Sequence, residues 1–191
     1  MTTIRLELEE LKIDRPKKRW NIYFIFATDH PSDESKYAVT MLPDPIMPVR
    51  RPAENLIDFS ADGAGVEGLE ILERPMPADR SVEVLCWVMH SRRSARRAGE
   101  IIEGIFEGLG TTATPVGDAL LGSNPWWTVG KAAIGGAGAV GHGLKKVRDR
   151  DMGFVSLSEQ FGPEFEEQTE LDRTNRLSTG WGHLVWTWAV A

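Results

Sequence analysis

Residues 81–158 constrain the fold most, because the two ends of this stretch differ in character from its middle. Ser81–His90 (SVEVLCWVMH) and Gly153–Ser158 (GFVSLS) are runs rich in apolar and β-branched residues, which predict buried β-strands. About sixty residues between them are rich in glycine and alanine and show helical spacing. The sequence therefore predicts a β-domain with a helical insertion at residues 91–150, placed between two neighbouring strands.

Further strands are predicted on both sides of this stretch. Ile4, Leu6 and Leu8 alternate with charged residues, and the break at Glu9-Glu10 predicts a β-bulge. Four prolines in Pro43–Pro52 argue against a helix or an inner strand there. The other predicted strands are Trp20–Thr28, Lys36–Leu42, Glu54–Ser60, Gly68–Glu73 and Leu184–Val190. Strands at this spacing predict one domain over residues 1–191, a β-sandwich of at least seven strands in two antiparallel sheets. Its central strands are expected at Trp20–Thr28, Ser81–His90 and Leu184–Val190.

Three helices are predicted within the insertion. Ser94 is a candidate N-cap of the first helix, and Gly110 is expected to end it. Its apolar face consists of Ile101, Ile102, Ile105, Phe106 and Leu109. Thr114-Pro115 and Asn124-Pro125 resemble start signals of a second and a third helix, the third extending from about Trp126 to Val147. Each glycine in the third helix costs about 1 kcal/mol relative to alanine, so close packing must compensate.

Composition excludes several classes of protein. The net charge of −6 argues against general nucleic-acid binding, and 41% apolar residues are enough to form a core. The single cysteine, Cys86, lies in an apolar strand and is expected to be a core residue. The N-terminal MTTIRLELEE has neither a basic start nor an apolar run. It therefore predicts no signal peptide and a cytoplasmic chain, with leaderless export as the alternative.

Three segments together resemble a C2-type β-sandwich: Trp20–Leu42, Ser81–His90 and Asp149–Leu157. Asp29-His30-Pro31-Ser32-Asp33 is similar to the family's D-x-x-x-S-D turn, and Asp151-Met152-Gly153 to its D-x-I-G motif. The resemblance implies a C2-like fold, mainly β, with an inserted Gly/Ala-rich helical subdomain.

The C2-type pattern departs from its calcium-binding form in one loop. In calcium-binding members an aspartate pair follows the strand that corresponds to Ser81–His90, whereas this chain has Arg92 and Arg93 there. Only Asp29, Asp33, Asp149 and Asp151 could converge on a cation, with four arginines nearby. We therefore expect no metal and no stabilisation by calcium.

A rival motif lies in the insertion. Gly136, Gly138 and Gly141 form G-x-G-x-x-G, and Glu159 follows eighteen residues after the last glycine. This pattern is typical of a dinucleotide site, where glycines admit the pyrophosphate and an acid holds the ribose. The upstream chain lacks the alternating helices of that fold, so a nucleotide-binding enzyme is the alternative function. No catalytic residue or cofactor is predicted.

Charge divides the chain into two parts. Residues 92–150 hold nine Lys/Arg against five Asp/Glu and thus carry +4, which leaves −10 for the remainder. The sequence therefore predicts a non-enzymatic binding or assembly module that contacts a protein partner or an anionic membrane surface through its insertion, and homo-oligomerisation stays open. The predicted partner-binding residues are Trp126, Trp127, Arg92, Arg93, Arg96, Arg97, Lys145 and Lys146. On this hypothesis, the strands should fold without Ser94–Val147; the alternative is that the insertion only covers the core.

Overall fold

The fold is mainly β, and every strand pairing is antiparallel. The computed structural model describes residues 2–14, 19–50, 55–59, 69–92, 97–116, 124–134, 140, 142–143 and 149–191. Within these residues the strands are β1 (Thr3–Ile13), β2 (Arg19–Asp29), β3 (Lys36–Arg50), β4 (Leu56–Asp58), β5 (Leu69–Pro75), β6 (Ser81–Val82), β7 (Val84–His90), β8 (Thr114–Val116), β9 (Trp126–Gly130), β10 (Arg150–Ser156), β11 (Glu159–Gln160), β12 (Glu170–Arg176) and β13 (Gly182–Val190). The helices are α1 (Ala98–Gly108), the short α2 (Glu164–Glu167) and a 3₁₀ helix at Lys131–Ile134.

A five-stranded sheet contains the two ends of the chain. Its order is β12-β13-β1-β4, and β5 pairs with the part of β1 that precedes the β4 contact. The register of β1 against β13 shifts between Leu8 and Glu10, which confirms the predicted bulge. The shift keeps Leu8 and Leu11 both buried although they are three residues apart.

A six-stranded sheet has the order β10-β7-β2-β3-β9-β8. The strands predicted to be central, β2, β7 and β13, each pair with a neighbour on both sides. A separate two-stranded pairing joins β11 to β6.

One core is shared by the two larger sheets. It takes alternate residues of β1 and β13, such as Leu6 and Trp188, and alternate residues of β2, such as Phe24 and Phe26. Trp188 donates its indole N–H to the Leu157 carbonyl at 2.9 Å and packs edge-on against Phe161. The buried indole therefore has a hydrogen-bond acceptor as well as apolar contacts.

A second apolar cluster lies on the other face of the six-stranded sheet. Helix α1 contributes Ala98, Ile101, Ile102, Ile105 and Phe106, and all five are fully buried. Its spacing follows the predicted helical face, so the first predicted helix is confirmed.

The ends of α1 differ in part from the prediction. Gly110, at φ +73°, ends the helix as expected: its amide donates to the Glu107 carbonyl, and the Thr111 amide donates to Phe106. The N-cap, however, is Arg97 and not Ser94, which lies outside the described residues.

The second predicted helix is wrong where the structure describes it. The third is wrong over its first residues, but Val140, His142 and Gly143 near its end are helical. Thr114–Val116 and Trp126–Gly130 are β8 and β9, which extend the six-stranded sheet from β3. The Thr-Pro and Asn-Pro pairs imitate helix starts, but Trp126, Trp127, Thr128 and Val129 have the aromatic and β-branched character of a strand. A short 3₁₀ helix at Lys131–Ile134 follows β9.

The strand predicted at Lys36–Leu42 is longer than expected, but the proline-rich stretch that extends it is neither helix nor inner strand, as predicted. Strand β3 continues through Pro43 to Arg50. Its pairing with β2 slips between Leu42 and Met47, which lie opposite Phe24 and Ile22. Beyond the slip, β2 is the one described strand that pairs with β3, whereas Lys36–Val39 also pairs with β9. An edge position of this kind tolerates proline, because one side of the strand needs no amide donors.

Candidate functional site

The two ends of the segment between β7 and β10 meet at one end of the six-stranded sheet. His90, the last residue of β7, pairs with Arg150, the first residue of β10. The Asp149 carboxylate accepts hydrogen bonds from Tyr23 Oη at 2.9 Å, Ser91 Oγ at 3.1 Å and the Arg92 amide at 3.3 Å. Ser91 is fully buried. Asp149 thus fastens the point where the segment leaves the sheet to the point where it returns.

Exposed arginines surround this junction. Arg92 and Arg150 are both exposed, and the Arg150 guanidinium lies 5.0 Å from the centre of the Trp181 ring. Arg97, also exposed, precedes α1, whose Ala98 amide donates to Asp44 Oδ1 at 3.1 Å. Asp44 belongs to the part of β3 opposite Ile22 and Phe24, near the same end of the sheet. We call Arg92, Arg97 and Arg150 the basic end.

The predicted tryptophan pair is not a surface feature. Trp126 is 3% exposed and Trp127 is 9% exposed. As neighbours in β9 they point to opposite faces of the sheet: Trp126 enters the core between the sheets and Trp127 enters the cluster under α1. The expectation of an exposed pair at a helix start is therefore wrong, because the segment is a strand.

Four of the predicted partner-binding residues lie outside the described residues. They are Arg93, Arg96, Lys145 and Lys146. Gly136, Gly138 and Gly141 of the G-x-G-x-x-G motif lie outside them as well. In the sequence, the first two arginines fall between Arg92 and Arg97, and the lysines precede Asp149 by a few residues.

The solvent face of α1 is acidic. Glu100, Glu103 and Glu107 are exposed, while the opposite face packs on the sheet. The expected basic helical layer is therefore not formed by α1, and the positive charge of this segment lies at its two ends.

A second polar network lies at the opposite end of the six-stranded sheet. Lys131 Nζ is 2.6 Å from Asp29 Oδ1, and the Asp29 Oδ2 atom accepts the Glu83 amide at 2.9 Å. Tyr37 Oη donates to Glu83 Oε2 at 2.7 Å, and the Lys131 ammonium lies 4.8 Å from the centre of the Tyr37 ring. The contacts join the β2–β3 turn, the start of β7 and the 3₁₀ helix.

Protonation in this network is set by its hydrogen bonds and burial. The hydrogen bond to Asp29 raises the pKa of Lys131, and nearby carboxylates add to this effect. Burial raises the pKa of Tyr37, as does its hydrogen bond to Glu83. Both groups therefore keep their protons at neutral pH, and their hydrogen bonds hold the three segments together.

A cleft of about 560 Å³ opens beside this network. The β2–β3 turn contributes His30 and Glu34, the loop after β5 contributes Met76 and Asp79, and Arg74 also lines the cleft. Sequence reasoning missed Arg74. A signal existed, since Arg74 stands two residues after the buried Leu72 and thus on the same face of β5.

The four aspartates considered for calcium do not converge. Thr28 pairs with Val84 and Ile22 with His90, so Asp29 and Asp33 lie at one end of the sheet and Asp149 and Asp151 at the other. The length of β7 places these ends about 20 Å apart. Each carboxylate accepts hydrogen bonds from its own surroundings, as Asp33 does from Ser35 and Asp151 from Gly153. No group of three or more potential metal ligands occurs in the part of the chain that the structure describes.

The described strands do not form the fold that the alternative function, dinucleotide binding, requires. A dinucleotide fold requires parallel strands, whereas all pairings in the described ranges are antiparallel, and Lys131–Ile134 is a 3₁₀ helix. Glu159 is bound by Arg173 at 2.9 Å and pairs with Val82.

Sequence comparisons add no family assignment. The sequence matches no model of a known protein family and no curated protein sequence. Among the described residues, no helix combines the length and the apolar character that crossing a membrane requires.

Proposed function

We propose that the chain is a non-enzymatic, calcium-independent binding or assembly module with a C2-like β-sandwich fold. Two sheets that share one core support the sandwich, and the long segment 91–149 between the paired strands β7 and β10 supports the insertion. The separation of Asp29 from Asp149 supports independence from calcium.

The basic end is the proposed contact surface. The observation that carries this proposal is the convergence of Arg92 and Arg150, from the two ends of the insertion, at one junction fastened by Asp149. The sequence adds Arg93, Arg96, Lys145 and Lys146 to the same two ends. A concentration of arginine and lysine against a chain of net charge −6 fits an anionic membrane surface or an acidic protein surface.

Binding to charged probes tests this proposal. The protein should bind vesicles of phosphatidylserine and phosphatidylcholine, or a polyglutamate peptide, at low salt and lose that binding as salt rises. The double variant Arg92→Ser/Arg97→Ser should lose about 2 kcal/mol of binding free energy, at about 1 kcal/mol per basic side chain. Fluorescence titration measures the change.

The control variant is Arg5→Ser/Arg176→Ser, which removes the same charge from the five-stranded sheet. It should bind almost as well as the unmodified protein, and addition of a calcium chelator should change nothing. Binding to vesicles alone indicates a membrane, and binding to the peptide alone indicates a protein partner. Failure to bind either probe, or equal losses in the two variants, contradicts the proposal.

A further inference from the structure

Arg74 is a buried cation without a carboxylate partner. Its side chain is 5% exposed, and its Nη1 atom donates to the Asp29 carbonyl at 2.8 Å. Its Nε atom is buried and has no acceptor, and Arg74 forms no ion pair with any described residue. Arginine stays charged in proteins, and buried charges are ordinarily paired. The burial of a guanidinium group that lacks an ion pair and leaves one N–H donor unused therefore needs an explanation.

Arg74 lines the cleft of about 560 Å³ described above, a size within the usual range for small-ligand sites. One wall consists of Pro75, Met76 and Pro77, and it offers apolar surface to a carbon chain. A ligand in the cleft could thus meet a buried cation and an apolar wall together.

The charged residues that line the cleft determine which kind of anion it can bind. Lys131 is already paired with Asp29 at 2.6 Å, and Arg74 is the other cation of the cleft, with its charge partly offset by Asp29 and Asp79. Glu34 and Asp79 also line the cleft and would repel a dianion such as phosphate. A planar carboxylate carries one charge and matches the guanidinium fork.

We propose that this cleft binds a carboxylate attached to an apolar carbon chain, with Arg74 as the group that recognises the carboxylate. The carboxylate belongs either to a free acid or to a polypeptide. The cleft lies about 20 Å from the basic end, at the other end of the six-stranded sheet. This binding site is thus distinct from the proposed contact surface, and either one can fail without the other.

Nuclear magnetic resonance on the unmodified protein tests the site directly. Hexanoate should shift the Arg74 Nε–H resonance and the Ser81 amide in a saturable manner. Hexanamide has the same carbon chain without the charge and should leave both signals unchanged. Inorganic phosphate should bind at least about tenfold more weakly than hexanoate, because it meets Glu34 and Asp79 with a second charge. Equal responses to hexanoate and hexanamide, no saturable shift, or tighter binding of phosphate would overturn the proposal.

Peptides separate the two sources of the carboxylate. N-acetyl-Ala-Ala-Leu with a free carboxyl group is titrated beside its amidated form. Tighter binding of the free peptide than of hexanoate indicates a polypeptide carboxylate, and the reverse indicates a free acid. Both outcomes support the site, whereas equal binding of the amidated and free peptides counts against it.

Two variants change affinity in opposite directions. Arg74→Gln should weaken hexanoate binding by about tenfold or more, since a hydrogen bond to a charged group is lost. Glu34→Gln, at an exposed position, should strengthen it by about twofold to fivefold. Asp14→Asn is the matched control, because Asp14 lies beyond the far end of β1 from Arg74 and should have no effect. If Arg74→Gln fails to fold, the Glu34→Gln titration still decides, and unchanged affinity there contradicts the proposal.

Discussion

The outer faces of the two large sheets differ sharply. On the six-stranded sheet, Tyr23, Ile25 and Trp87 point outwards yet are almost completely buried, because α1 and neighbouring residues cover them. On the five-stranded sheet, the outward residues stay partly exposed, and acidic side chains line a groove of about 390 Å³ there. Glu7 and Glu170 are among them.

This difference follows from the residue pattern of the strands. In β2 five consecutive residues, Tyr23–Ala27, are fully buried, so both faces of that strand need cover. In β13 buried residues alternate with half-buried ones, which is the pattern of a sheet with one face towards water. The segment between β7 and β10 supplies the cover that β2 requires. Its described apolar residues are therefore part of the core, although Arg92, Arg97 and Arg150 at its ends are exposed.

The largest expected effect comes from removing that cover. Replacing Ala98–Gly108 with a Gly/Ser linker of equal length removes five buried side chains and uncovers the sheet beneath them. At about 1.5–3 kcal/mol for each large side chain, the loss approaches the whole stability of a typical domain. We expect no cooperative unfolding transition in urea, followed by tryptophan fluorescence.

The matched control keeps the buried face of α1 and changes only its exposed one. Glu100→Gln/Glu103→Gln/Glu107→Gln should unfold cooperatively near the midpoint of the unmodified protein. A linker variant that folds normally would show that the six-stranded sheet needs no cover. That outcome would favour the expectation that the strands fold without Ser94–Val147.

Truncating one outward side chain on each sheet compares how much buried surface on each outer face contributes to stability. Ile25→Ala removes a fully buried side chain beneath the cover and should cost about 2–5 kcal/mol. Val185→Ala removes a half-buried side chain on the acidic groove and should cost less than about 1 kcal/mol. Urea unfolding of both variants gives the two values, and equal costs would contradict the difference between the faces.

Strong patterns made most strands predictable from the sequence. The alternation of Ile4, Leu6 and Leu8 located β1 and its bulge, and the dense run Trp20–Thr28 located β2 within a residue at each end. In these segments the hydrophobic period and the β-propensity agree, so a single interpretation fits both.

The errors arose where local signals conflict with the sheet. Strand β12 was missed because Glu170–Arg176 is polar on both faces and is held by pairing with β13. Strand β9 was predicted to be a helix because Asn124-Pro125 imitates a helix start.

The candidate site residues could be predicted only in part. Arg92, Arg97 and Arg150 are exposed at one end, but Trp126 and Trp127 are core residues. The alternation of β5 indicates that Arg74 is buried, but no local pattern reveals its long-range hydrogen bond to the Asp29 carbonyl.

The smallest expected effect concerns the acidic face itself. Burial raises the pKa of Glu7, Arg5 opposes the rise, and Glu9, Glu70 and Glu170 add to it. A carboxyl group whose pKa is higher in the folded than in the unfolded state is destabilising when ionised. The free energy of unfolding should therefore gain a contribution as the pH falls through the folded pKa.

Glu7→Gln removes that penalty and should stabilise the protein at pH 7 by up to about 0.5 kcal/mol. The advantage should shrink as the pH falls and vanish well below about pH 4, where the carboxyl group is protonated in both states. Urea unfolding at pH 7 and at pH 3.5 measures it. Arg5 Nε lies 3.2 Å from Glu7 Oε1, so a variant less stable than the unmodified protein at pH 7 would mean that this ion pair outweighs burial and repulsion. The acidic face would then be a stabilised surface and not a strained one.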